Sequence, residues 1–181
     1  MIIAPFAQSW LAALEPDFRP GKGQITWNDG KLHLLAELID EEVFTTATEN
    51  QQRLWEKGDV VEFFVQMPGQ SGYYEYQIAP NGLTLALFYP DLSGVTAIRS
   101  GTKSLDDFLT QTPPTAHAWK TDQGWNASIT LPLPAAPGSR LRVSCGRYDA
   151  GTGRSPIISS TSPHPVRDFH RPQDWLEIPI S

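Results

Sequence analysis

A tryptophan in a polar segment and a glutamate in an apolar strand both occur in the stretch RLWEKGDVVEFFVQ, residues 53–66. Trp55 is followed by Glu56, Lys57 and a glycine, so nothing in the sequence predicts that its ring is buried. Glu62 lies among apolar residues, and a partly desolvated carboxylate needs a hydrogen-bond donor. Indole faces pack against the C–H groups of pyranose rings, and carboxylates accept hydrogen bonds from sugar hydroxyls. These two residue types therefore indicate carbohydrate binding.

Each residue also has a purely structural interpretation. Arg147 is an available ion-pair partner for Glu62, and Trp55 could simply cover the edge of a sheet. The sequence leaves both pairs of alternatives open.

Short apolar or alternating runs between 16 prolines and 14 glycines predict an all-β protein. We expect one domain over residues 1–181: an antiparallel two-sheet β-sandwich, jelly-roll or immunoglobulin-like, although a closed barrel has the same periodicity. Few helical turns are expected, one of them at LDDFL, with a loop over SGVTAIRSGTKS before it. The eight predicted strands cover residues 31–40, 59–67, 73–80, 83–89, 115–120, 125–133, 140–149 and 174–180.

Alternation along the strands predicts which side chains share a face. In DVVEFFVQM, Val61, Phe63, Val65 and Met67 form one apolar face, and Glu62 lies on the other face, away from the main core. In RLRVSCG, the same period places Leu141, Val143 and Cys145 in the core.

Charge and composition exclude several function classes. The net charge of −6 and the absence of a basic run argue against nucleic acid and anionic membrane partners. No run approaches the ~20 apolar residues that cross a bilayer. The N-terminus lacks the basic leader of a signal peptide, which predicts a cytoplasmic location if Met1 is the native start. A single cysteine excludes an internal disulfide, and the oligomeric state is left undefined.

Five segments in order resemble the family-nine carbohydrate-binding modules and their bacterial relatives: LWEKGDVVEFFVQ, YYEYQIAPNG, GWNASITLPL, RYDA and FHRPQDWLEI. The resemblance runs from about Lys31 to the C-terminus. The first thirty residues match less well, and there Trp10 is the candidate for a tryptophan that the family carries.

The resemblance implies a non-catalytic domain that holds an oligo- or monosaccharide in an aromatic clamp. Trp55 corresponds to one wall, Glu62 to the strand glutamate that takes sugar hydroxyls, and Gln77 to a polar ligand contact on the next strand. Phe169 corresponds to the second wall, where the family has tryptophan, which implies a smaller and weaker clamp. His170 is the alternative second wall. No cofactor is expected, but some relatives carry calcium, for which Asp40 in LIDEE is the candidate ligand.

Two other function classes stay open. One is a β-sandwich that binds another protein or serves as an accessory domain of a glycan-processing system. The other is a glycoside hydrolase, which requires two facing carboxylates. Glu62, Glu75 and Asp59 could supply them, but strand order alone does not show that Glu75 meets Glu62. Sequence motifs of hydrolytic nucleophiles and phosphate loops are absent.

Overall fold

The fold is a sandwich of two antiparallel sheets, as predicted from the sequence. The computed structural model describes residues 1–110, 114–133, 136 and 138–180. About 48% of the chain is strand and 10% is helix, so the expected scarcity of helix is confirmed. Among the described residues, no helix has the length and apolar character needed to span a bilayer.

The first sheet has five strands and the second has five in its main path. The first contains β1 (Ile2–Pro5), β2 (Gly21–Asn28), β3 (Lys31–Ile39), β7 (Thr115–Thr121) and β8 (Gly124–Pro132), in the order β1-β2-β3-β8-β7. The second contains β4 (Val60–Gln66), β5 (Tyr73–Ile78), β6 (Thr84–Tyr89), β9 (Arg140–Gly151) and β10 (Arg154–Ser160), in the order β10-β9-β4-β5-β6. A further strand, β11 (Leu176–Pro179), pairs with β9.

In the described ranges, helical structure occurs only in the connections between strands. The α-helix α1 spans Leu92–Arg99, and 3-10 turns span Leu54–Glu56, Leu105–Phe108 and Pro172–Asp174. The turn at 105–108 confirms the expectation for LDDFL. The expectation of a loop before it is wrong in part, because α1 occupies its first half. Asp91 caps this helix by accepting a hydrogen bond from the Ser93 amide. An aspartate at this position is a sequence signal for the start of a helix.

All eight predicted strands are present, whereas β1, β2 and β10 were not predicted. β1 has only four residues. β2 includes Gly21 and Gly23, and β10 includes Pro156, residue types that are depleted in strands. Pro156 is tolerated because β10 lies at the edge of its sheet.

The main core lies between the two sheets and follows the predicted alternation. Val61, Phe63 and Val65 of β4 point into it, together with Leu141, Val143 and Cys145 of β9. The first sheet contributes the opposite side, including Leu34, Ala127 and the fully buried Trp125.

A second apolar cluster covers the outer face of the second sheet. Residues of β4, β5 and β6 on that face pack against the connections rather than facing water. The covering residues include Leu54, Val95, Leu105, Phe169 and Trp175. All seven residues of β4 are therefore buried, whereas the sequence predicted only its core-facing half to be so.

The core position of Cys145 predicts an inert thiol. The side chain is fully buried, and burial raises the pKa of the thiol to about 12. We expect the native protein to react with a thiol reagent far more slowly than the same protein in denaturant, because the thiolate is the reactive species. The labelling rate followed by mass spectrometry is the measurement. Equal rates in the two conditions would contradict the assigned register of β9.

Candidate ligand-binding pocket

A pocket of about 480 Å³ opens on the outer face of the second sheet, between the sheet and the segments that cover it. Its floor is formed by β4, β5 and β6, and its sides by the 3-10 turn at 54–56, by α1 and by the loop before β11. The residues used below are Arg53, Trp55, Glu62, Glu75, Gln77, Tyr89, Arg99, Tyr148, Arg167, Asp168, Phe169 and His170.

Strand register brings three polar side chains together on the floor. Glu62 is paired with Gln77 across β4 and β5, and Glu75 lies two residues before Gln77 on the same face. The Gln77 amide nitrogen donates to Glu62 Oε1 at 2.9 Å and to Glu75 Oε1 at 2.5 Å. One amide group therefore bridges two carboxylates, and both of its N–H donors are used.

Two further polar atoms of the floor are acceptors. Gln77 Oε1 and Glu75 Oε2 are buried and have no hydrogen-bond partner in the structure. Buried polar atoms are rarely left unpaired in folded proteins, since an unmade hydrogen bond costs roughly 1–3 kcal/mol. The floor is thus suited to a ligand that brings hydrogen-bond donors.

The surroundings of Glu62 and Glu75 make it unfavourable for both carboxyl groups to be ionised at once. Burial, and then the neighbouring Glu75, raise the pKa of Glu62 well above its ordinary value. Burial raises the pKa of Glu75 to about 7, although hydrogen bonds from Gln77 and Tyr89 oppose the shift. Near neutral pH these two carboxyl groups therefore hold a proton that ordinary surface carboxylates would have released.

His170 borders the floor without neutralising it. Its Nδ1 is 2.7 Å from the Tyr73 hydroxyl, and its Nε2 is 3.8 Å from Glu75 Oε2. Burial lowers the pKa of the imidazole to about 4, so the ring is neutral where the glutamates titrate. His170 consequently acts as a polar wall and not as a counter-ion.

The two predicted aromatic walls differ in exposure. Trp55 is half-buried on the 3-10 turn, with the Arg53 guanidinium 5.9 Å from its ring centroid. Phe169 is only 5% exposed, and its ring packs against Trp10, Phe64, Tyr148 and His164 at centroid distances of 5.9–6.2 Å. Its carbonyl also accepts a hydrogen bond from the Trp175 indole. Phe169 is therefore fixed in the second apolar cluster, with little of its ring available for stacking.

Ion pairs organise the pocket sides. Arg99 of α1 donates two hydrogen bonds to Asp168, at 3.1 and 2.9 Å. Asp168 also accepts the backbone N–H of His170, so α1 fixes the loop that carries both Phe169 and His170. Arg53 pairs with Glu56 at 3.3 Å. Arg167 is exposed at the rim.

Arg147 does not reach this pocket. It pairs in register with Val61, on the core side of β4, whereas Glu62 faces the opposite side. Its guanidinium donates to the Ile39 and Arg19 carbonyls and to Asp149. The structure thus supports neither an ion pair between Arg147 and Glu62 nor a ligand contact at Arg147.

Asp40 lies with Asp59 and Asp149 in a separate buried cluster, in which one oxygen of each carboxylate lies within 4.8 Å of the others. Calcium takes six to eight oxygen ligands, but most oxygens here are occupied. Asp59 accepts backbone N–H groups with both oxygens, and Asp149 binds three arginines. Arg147, 3.6 Å from Asp40, already supplies the positive charge. Asp40 Oδ2 is buried without a hydrogen-bond partner, and a calcium ion at this cluster stays a prediction.

Most, but not all, predicted site residues meet in the pocket. Trp55, Glu62, Gln77, Phe169 and His170 line it together, while Arg147 and Asp40 lie elsewhere. Glu75 is an additional floor residue that was not assigned to the binding site. Its alternation with Gln77 was visible in YYEYQ, but its approach to Glu62 depends on a strand register that sequence does not give.

Gly146 sets the position of Phe169 on the sheet. A β-carbon at this residue would lie 2.6 Å from two atoms of the Phe169 ring. We expect Gly146→Ala to destabilise the domain by about 1–3 kcal/mol, as overpacking does. Denaturant unfolding measures the loss. In a Phe169→Ala background the same substitution should cost much less, and equal costs in both backgrounds would contradict this contact.

Glu75 should make stability depend on pH. Its pKa of about 7 exceeds the 4.5 of an ordinary glutamate, so the folded chain holds a proton that the unfolded chain releases between these values. Its contribution to stability therefore falls as pH rises through this window, by at most about 3 kcal/mol. We expect the stability of Glu75→Gln relative to the parent to increase from about pH 4.5 to about pH 7. Parallel unfolding profiles for the two proteins would show that Glu75 ionises normally.

Comparison with solved structures shows what the fold resembles. A protein from Bacteroides uniformis, provisionally described as carbohydrate-binding, superimposes with a TM-score of 0.72 at 15% identity, over 99% of this chain and 86% of its own. A family-nine carbohydrate-binding module from Caldicellulosiruptor kristjanssonii, in complex with cellotriose, gives a TM-score of 0.64 at 15% identity over 93% and 77% of the two chains. The same organism's module with glucose gives 0.64 at 14% identity over 94% and 80%.

The other comparisons give no match. No protein-family model matches the sequence. No curated protein matches it either. At 14–15% identity the structural likeness establishes the fold alone: the chain is a β-sandwich with the architecture of family-nine carbohydrate-binding modules.

Proposed function

We propose that the chain is a non-catalytic carbohydrate-binding domain whose ligand sits in the pocket beside Trp55 and above Gln77. The observation that carries this proposal is the combination of a half-buried indole with buried acceptors that lack partners. Sugars combine apolar ring faces with dense hydroxyl groups, so one ligand can satisfy both features.

The pocket dimensions suit a short saccharide. A volume of about 480 Å³ is within the range of small-molecule sites and accommodates one or two sugar rings. The structural neighbours support the same ligand class, because two of them are carbohydrate-binding modules in complex with cellotriose and with glucose.

The buried position of Phe169 changes the expected clamp. Trp55 provides the accessible aromatic face, and Phe169 supports the pocket from within the apolar cluster. His170, half-buried and fixed by the Tyr73 hydroxyl, stands beside the floor as a polar contact. We therefore assign the ligand one aromatic face, a hydrogen-bonding floor and the His170 edge.

The expected affinity is modest. At about −0.3 kcal/mol per non-hydrogen atom, the roughly 23 atoms of a disaccharide give about −7 kcal/mol at best. The dissociation constant should therefore fall between micromolar and millimolar. Titration calorimetry against cello-, xylo- and malto-oligosaccharides and simple monosaccharides tests this range. Absence of heat for all of them, with folded protein at millimolar ligand, would favour a protein-binding accessory domain instead.

Substitution of Trp55 separates the pocket from the rest of the surface. We expect Trp55→Ala to abolish measurable binding while the domain stays folded, because the ring lies on a surface turn. Trp119→Ala is the matched control, since this tryptophan is 43% exposed on β7 of the other sheet. Loss of binding in the Trp119 variant alone would move the site to the first sheet.

A glycoside hydrolase is the second candidate, because two carboxyl groups on one pocket floor lie close enough to accept hydrogen bonds from the same amide group. Retaining glycosidases use closely spaced carboxylates, one of them with a raised pKa. Release of reducing sugar from any of the titrated oligosaccharides, abolished by Glu62→Gln, would establish this function in place of simple binding.

A further inference from the structure

We propose that the pocket selects a saccharide bearing a protonated amine, with the ammonium group seated between Glu62 and Glu75 on the floor. This inference rests on the proposed carbohydrate-binding function and specifies its ligand class. It follows from the composition of the floor, where the buried Glu62 and Glu75 lie side by side and neither forms an ion pair with a lysine or an arginine.

The floor presents several hydrogen-bond acceptors to an ammonium group. Glu62 is 4% exposed and Glu75 is 3% exposed, and both carboxylates accept from the same neutral amide. An ammonium group carries three N–H donors and no acceptor. The partnerless Gln77 Oε1 and Glu75 Oε2 are acceptors as well, and the ammonium group would displace the proton that the two carboxyl groups hold near neutral pH.

The basic groups around the pocket do not neutralise the floor. Arg99 is held in a bidentate pair by Asp168, and Arg53 is paired with Glu56. Arg167 is exposed at the rim. His170 is neutral near physiological pH because burial lowers the pKa of its imidazole. The Tyr89 and Tyr148 hydroxyls complete the surroundings, and burial raises the pKa of both, which leaves them uncharged.

A neutral sugar would satisfy the floor less well. Its hydroxyls can donate to the carboxylates, but they leave the net charge unchanged. A cation favours the ionised state of nearby carboxyl groups, whose pKa values burial has raised. The attraction between an ammonium group and a carboxylate is weak in water and stronger in a buried site of low dielectric constant.

The test compares three trisaccharides that share β-1,4 linkages and differ only at carbon 2. These are cellotriose with a hydroxyl, the N-acetylglucosamine trimer with a neutral amide, and the glucosamine trimer with an amine. Titrations at about pH 5.5 keep the 2-amino groups protonated, because the neighbouring ring oxygens lower the pKa of a sugar amine below that of an ordinary aliphatic amine. We expect the amine trimer to bind at least about tenfold more tightly than cellotriose, and Glu75→Gln to reduce that ratio toward one.

A charge control excludes nonspecific attraction to the acidic chain. Glu177→Gln removes one charge from an exposed residue of β11 outside the pocket, and it should leave the tenfold ratio intact. A ratio that falls equally in the Glu177 and Glu75 variants would assign the preference to overall charge and overturn the proposal. Thermal unfolding of each variant verifies that its fold is retained.

Proton release gives a second readout. A bound cation lowers the pKa of both glutamates, so at about pH 5.5 the protonated amine trimer should displace protons from the pocket. The release would be seen as binding heats that differ between buffers of unequal ionisation enthalpy. Equal affinity for cellotriose and the amine trimer would overturn the inference and leave the proposed function standing. Absence of binding by all three trimers and by the saccharides named above would overturn both.

Discussion

The bridge from the Gln77 amide to two buried carboxyl groups is the interaction around which the pocket is organised. It exists because β4 and β5 pair with Glu62 directly opposite Gln77, which places Glu75 on the same face. A shift of β5 by one residue in this register would turn Glu75 and Gln77 toward the main core. The register is held by the alternate residues of β4, Val61, Phe63 and Val65, which fill the core between the sheets. The register of β4 and β5 thus determines both the packing of the core and the arrangement of polar groups in the pocket.

The outer face of the second sheet becomes a pocket because the connections build a second apolar layer on it. Phe64 contacts Phe169 and Trp175 there, and α1 brings Val95 and Arg99 over the far side. Two glycines permit this close approach: Gly146 lies under the Phe169 ring, and a β-carbon on Gly94 of α1 would be 2.8 Å from Phe108. The covering segments leave the polar part of the sheet open between them. The layer that desolvates the glutamates is therefore also the layer that shapes the pocket.

Periodicity predicted the parts of the structure that depend on local pattern. It gave eight strands and the two faces of β4, and it placed Cys145 in the core. The same period shows that Arg147, two residues from Cys145 on one strand, faces the core side and cannot meet Glu62. The position of Phe169 and the approach of Glu75 to Glu62 depend on strand register and loop packing over long sequence distances. No local sequence pattern specifies contacts between residues so far apart in the chain, so the burial of Phe169 could not be predicted.

Two buried acidic clusters in this domain show two different responses to the same electrostatic problem. In the cluster of Asp40, Asp59 and Asp149, burial of carboxylates is offset by Arg147, which is itself almost fully buried and donates to Asp149 at 3.0 Å. Backbone N–H groups satisfy both oxygens of Asp59. Glu62 and Glu75 share a neutral amide, the Tyr89 hydroxyl donates to Glu75, and the nearby imidazole of His170 is uncharged. A buried charge without a partner is expensive to maintain, and the first cluster shows that this fold can accommodate an internal arginine beside buried acids. The floor of the pocket has no such residue, so its unmet demand for donors faces the space where a ligand would sit.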